Sequence, residues 1–62
     1  MKVRDILALL RRDGWYIVTI RGSHRQFKHP TLRGRVTLAG KLNDDLARDT
    51  LSSIYKQAGW KK

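Results

Sequence analysis

Two strand-prone runs, Trp15 to Arg21 and His24 to His29, are separated only by Gly22-Ser23. Glycine followed by a small polar residue is a two-residue hairpin signal, so the chain is expected to fold back on itself there as an antiparallel pair. In that pairing Arg21 lies opposite His24, Thr19 opposite Gln26 and Ile17 opposite Lys28, while Ile20, Val18 and Tyr16 share the other side with Arg25, Phe27 and His29. The second set is mainly apolar and belongs against a core. A one-residue slip would bury Arg21 and Lys28 and expose Phe27, which the cost of desolvating charge disfavours.

The flanking segments supply the cover. Val3, Ile6, Leu7 and Leu10 recur at the spacing of one helical face, and Gly14 provides a left-handed stop, giving a helix over about residues 2–13. Pro30 closes the second strand, and Arg35 to Ala39 reads as a third strand whose Val36 and Leu38 extend the covered face. Leu51, Ile54, Tyr55 and Ala58 mark a second helical face, ended by Gly59, with Trp60 placed to fold back on its last turn. Asn43, Asp44, Asp45 and Asp49 are all candidate caps for that helix, and the pattern does not choose among them. The expected architecture is α+β in the order α-β-β-β-α: a three-stranded antiparallel sheet with both helices on one face. Alternation sends Arg21, His24, Gln26, Lys28, Arg35 and Thr37 to the open face.

At 62 residues the chain reads as a single domain over 1–62, too short to enclose a large substrate cavity. It has no cysteine, no membrane-length apolar run and no secretory leader, which points to the cytoplasm and away from disulfide scaffolds. Charge is the strongest compositional feature: 14 Lys plus Arg against 5 acids, for a formal +9. No carboxylate occurs from Gly14 to Asn43, whereas Arg21, Arg25, Lys28, Arg33, Arg35 and Lys41 all fall there. Such a block suits a polyanionic partner.

Within that block His24 stands beside Arg21, Arg25 and Lys28 at an exposed turn. RNA can be cut without metal when a base removes a 2′-hydroxyl proton, the oxygen attacks the neighbouring phosphorus, and cations hold the added negative charge. Histidine suits the base and Arg or Lys the charge stabilisation. His29, on the helix side beside Tyr16 and next to Pro30, reads as structural, with proton donation as its other reading. Ser23 can contact phosphate or simply serve the turn. Asp44-Asp45 is a poor metal pair, since adjacent carboxylates diverge and no third ligand follows at a recognisable spacing. Neither metal nor cofactor is expected. A non-catalytic RNA-binding module fits the same charge, and a basic surface that only docks an acidic protein is a further reading.

Several blocks taken together resemble one family: Leu-Leu-Arg-Arg-Asp-Gly-Trp at 9–15, Arg-Gly-Ser-His-Arg-Gln-Phe-Lys-His-Pro at 21–30, Arg-Val-Thr-Leu-Ala-Gly-Lys at 35–41 and Thr-Leu-Ser-Ser-Ile-Tyr-Lys-Gln-Ala-Gly-Trp at 50–60. The chain is similar over nearly its whole length to the HicA toxins of bacterial type II toxin-antitoxin modules, which are mRNA interferases with a double-stranded-RNA-binding-domain-like fold. The resemblance implies His24 as the catalytic histidine, Gly22 and Ser23 as its usual neighbours, mRNA as substrate and a HicB-type antitoxin as partner. With it, Arg21, Gly22, Ser23, Arg25, Lys28 and Arg35 are the expected RNA-binding residues. Gly40-Lys41 stands where some members carry a second histidine, so this chain offers no two-histidine mechanism on that pattern. Arg48-Asp49-Thr50-Leu51 replaces a common Pro-Gly-Thr-Leu helix start.

Overall fold

The computed structural model describes residues 1–60. Helix α1 (Val3–Arg12) is followed by strands β1 (Tyr16–Arg21), β2 (His24–Lys28) and β3 (Val36–Leu38), then helix α2 (Arg48–Ala58). The strands form one antiparallel sheet in the order β1-β2-β3, an α+β fold. Val3, Ile6 and Leu10 of α1, Ile54 and Ala58 of α2, and Phe27, Val36 and Leu38 of the sheet close a single core with Trp15. All three sheet residues lie on one face, because Phe27 pairs with Val36 and Leu38 pairs with Arg25 two positions along. The helices therefore cover that face and leave the other open.

Both helices end in the same device. The Trp15 amide donates to the Leu10 carbonyl and the Gly14 amide to that of Arg11; Trp60 likewise donates to Tyr55 and Gly59 to Lys56. These are Schellman closures, made possible by the positive φ of Gly14 and Gly59. As expected, Trp60 folds back onto α2, its ring edge-on to Tyr55 at 5.2 Å.

The start of α2 differs from every candidate cap. Ala47 occupies the capping position and makes no side-chain cap bond. Asn43, Asp44 and Asp45 instead tie the 41–46 segment to the start of α1. Val3 and Arg4, two of the amides that a helix start leaves unpaired, donate to the carbonyls of Asp44 and Leu42. The Lys2 amide donates to the Asp5 carboxylate, and Arg4 donates to the Asn43 side-chain oxygen at 3.1 Å. The Asp44 carboxylate accepts the Lys41 amide at 2.9 Å, and Asp45 pairs with Lys2 at 3.7 Å.

The hairpin register is right near the turn and wrong beyond it. Arg21 pairs with His24, Ile20 with Arg25 and Thr19 with Gln26, but a β-bulge then intervenes, so Ile17 faces Phe27 and Tyr16 faces Lys28. The extra residue is Val18. Ile17 replaces Val18 against the core, Tyr16 turns to the open face, and Val18 and Ile20 are left exposed on the edge strand. The physical reason is that one aliphatic residue reaches Phe27 as well as another does, whereas the bulge lets Trp15, just outside the strand, enter the core at 3% exposure.

Candidate functional site

The Gly22-Ser23 turn places His24 as the first residue of β2. Gly22 has φ +56°, and nothing lies within 4 Å of where its Cβ would be, so glycine serves the turn conformation there and no close approach demands it. Alternation from His24 puts Gln26 and Lys28 on the same face, and cross-strand pairing adds Arg21, Thr19 and Tyr16 from β1 and Thr37 from β3. Thr19, Arg21, His24 and Gln26 line an open hollow of about 480 Å³. Arg35, just before β3, donates to the Gln26 side-chain oxygen at 2.9 Å, which draws its guanidinium to the same face.

His24 is exposed, and among the described residues nothing hydrogen-bonds its ring. Both nitrogens are thus open to an incoming group. Arg21 sits directly across the strand pair, Lys28 four residues down β2, and no carboxylate shares this face among the described residues. Ser23 and Gly22 are exposed at the turn. A sheet floor with an accessible imidazole between guanidinium and ammonium groups is a place for a phosphodiester.

Arg25 is the expected binding residue that does not join the others. It points to the helix side of the sheet, opposite Ile20 and Leu38, where its guanidinium donates to the Gly40 carbonyl at 3.1 Å. There it ties β2 to the turn that follows β3.

His29 has a structural task, although its neighbours are not the expected ones. The bulge takes Tyr16 to the opposite face, so His29 instead packs edge-on against Trp15 at 5.2 Å. Its Nε2 lies 2.8 Å from the Asp13 carbonyl, an acceptor only, while Nδ1 accepts the backbone amides of Thr31 and Leu32. This network engages both ring nitrogens, with Nε2 the donor to the Asp13 carbonyl. Five residues of extended chain put His29 about 17 Å from His24. It cannot act on the same phosphate.

One polar cluster has no counterpart in the sequence reading. The indole N–H groups of Trp60 and Trp15 both donate to a single Asp13 carboxylate oxygen, at 2.8 and 3.1 Å. The Trp60 bond is the main reason the Asp13 carboxyl titrates below the ordinary carboxylate value; partial desolvation opposes it, and the Trp15 bond and His29, when charged, add to it. Beside this clasp Leu9, Arg12, Asp13, Tyr55 and Trp60 line a second hollow of about 410 Å³ on the helix side. The available signal was the repeated Gly-Trp pair, 14–15 and 59–60, after each helix.

Asp44 and Asp45 serve the 41–46 turn, and among the described residues no three metal-ligating side chains converge. No helix among them is long and apolar enough to cross a membrane. No curated protein matches the chain. A family model described as the HicA toxin of bacterial toxin-antitoxin systems matches residues 3–60, which spans both helices and all three strands. With that match over nearly its full length, the chain belongs to the HicA toxin family, the toxin side of a bacterial toxin-antitoxin pair.

Proposed function

We propose that this toxin is an endoribonuclease of a type II module, that it cuts mRNA without a metal ion, and that His24 is its general base. His24 takes the proton from a 2′-hydroxyl; the freed oxygen bonds to the adjacent phosphorus, and the bond from phosphorus to the 5′-oxygen breaks. The products are a 2′,3′-cyclic phosphate and a 5′-hydroxyl, whose proton comes from solvent because no second imidazole shares this face among the described residues. Arg21 and Arg35 hold the phosphate oxygens and offset charge as it grows, while Lys28, farther along β2, binds the same RNA strand away from the scissile bond. Gly22 and Ser23 keep the approach to His24 open, and Arg25 acts from beneath by fixing β2.

The observation that carries this reading is the unpartnered, exposed imidazole at the head of a cation-lined sheet face. Single-stranded message suits the mechanism, since in-line attack needs a backbone free of A-form constraint. The partner is a HicB-type antitoxin that presents acidic groups to this face and covers it. Purified protein and a His24→Ala variant incubated with RNA in EDTA test the proposal: cleavage by the native protein alone supports it. The other reading, a non-catalytic RNA-binding module, draws on the lack, among the described residues, of any side chain that orients the His24 ring. Equal RNA binding by both proteins with cleavage by neither would establish it.

A further inference from the structure

The β-bulge at Val18 does more than adjust packing: it moves Tyr16 from the helix side of the sheet to the side that carries His24. Bulges commonly re-aim a side chain in this way. Tyr16 now stands opposite Lys28, 49% exposed, and nothing among the described residues hydrogen-bonds its hydroxyl. A large aromatic ring held half in solvent on a rigid strand, paired with an ammonium group, gains nothing for the core. Its surroundings match a nucleotide: a flat π-face for a base, and a cation beside it for the phosphate.

We propose that Tyr16 and Lys28 form a second nucleotide subsite, in which the Tyr16 ring stacks on a base and Lys28 holds the adjoining phosphate. Lys28 is four residues from His24 on β2, about 13 Å along an extended strand. That span corresponds to about four nucleotides of a stacked single strand, and fewer of an extended one. The hollow lined by Thr19, Arg21, His24 and Gln26 lies between the two ends, so one strand of RNA can run from Tyr16 across the hollow to His24. Stacking tolerates any base, so this subsite adds affinity and sets register without reading sequence. The inference rests on the proposed RNA substrate.

An octanucleotide with 2′-methoxy groups at every position cannot be cut by its own 2′-oxygen, which separates binding from cleavage. Affinity for it is measured for the native chain and for Tyr16→Ala, Tyr16→Leu and Tyr16→Phe. The expected result is a loss of about fivefold to 100-fold for the Ala and Leu variants, near-native affinity for Tyr16→Phe, and an upfield shift of the Tyr16 ring protons on titration of the native protein. Native-like affinity of Tyr16→Leu overturns the subsite while leaving the RNA reading intact. So does a loss in Tyr16→Phe equal to that in Tyr16→Leu, since the hydroxyl rather than the ring would then be at work. No detectable binding by the native chain overturns both.

Discussion

Replacing Asp13 by Ala removes the acceptor on which two indoles converge, one following each helix. Trp15 is buried, so its N–H is left without a partner at a cost of about 1–3 kcal/mol. Trp60 is only partly buried and can turn to water, so its lost bond costs less, about 0.5–1.5 kcal/mol, despite the shorter 2.8 Å contact. The two sum to about 1.5–4.5 kcal/mol, against a total stability of about 3–9 kcal/mol for a chain of 62 residues. Urea titration followed by tryptophan fluorescence should therefore show a large fall in midpoint, with a thermal midpoint at least about 6 °C lower. The pH dependence has a fixed sign. Because the folded carboxyl titrates below its unfolded value, its contribution is fully present above about pH 4 and is lost as pH falls through the folded value. The native chain should thus lose more stability on acidification than Asp13→Ala does. In a double-mutant cycle with Trp60→Phe the two substitutions should couple by at least about 0.5 kcal/mol. A change within about 0.5 kcal/mol for Asp13→Ala, of the size expected at an ordinary surface position, would refute the clasp as a stabilising element.

Gly22→Ala should cost only the strain of a left-handed residue, about 1–2 kcal/mol, since space is open there. At Gly14 a Cβ would lie 3.0 Å from the His29 Nε2 and displace the ring from the Asp13 carbonyl, so Gly14→Ala should be the more destabilising of the two by at least about 1 kcal/mol in denaturant titrations. Removing one cation from the proposed RNA-binding face, by Arg21→Ala or Lys28→Ala, should weaken single-stranded RNA binding whatever the sequence. Each should lower the slope of log affinity against log salt by about 0.7. Arg25→Met, which removes the bond to Gly40 from the far face, should leave that slope unchanged and act through stability alone.

The helices, the turn and the open face were legible because each rests on a local signal: apolar spacing in α1 and α2, Gly14 and Gly59 at their ends, and Gly22-Ser23 between the strands. The bulge was not. Trp15 to Val18 is apolar throughout, so alternation gives no phase there, and only Thr19 and Arg21 mark the open side. Two registers were consistent with the residues, and the choice between them was made by Phe27 and Trp15 in the assembled core. The same loss of phase hid Tyr16 from the list of open-face residues. The cap of α2 was misread for a different reason: the capping side chains at 43–45 are used on the start of α1, a contact across some forty residues that local pattern does not record. Asp13 with Trp60 is likewise a long-range meeting, 47 residues apart in sequence. His24 was legible because a turn exposes whatever follows it, and alternation already sent Arg25 to the helix side; its long-range bond to the Gly40 carbonyl left no local signal.

An attack of a 2′-oxygen on phosphorus started by the proposed general base, His24, leaves its mark on the ends of the RNA fragments. End-group analysis of RNA incubated with the native chain in EDTA reads that mark. Fragments ending in 2′,3′-cyclic phosphate and beginning with 5′-hydroxyl, absent when His24→Ala is used at the same concentration, are the predicted result. Fragments bearing 5′-phosphate, or undiminished cleavage by the His24→Ala chain, would contradict it.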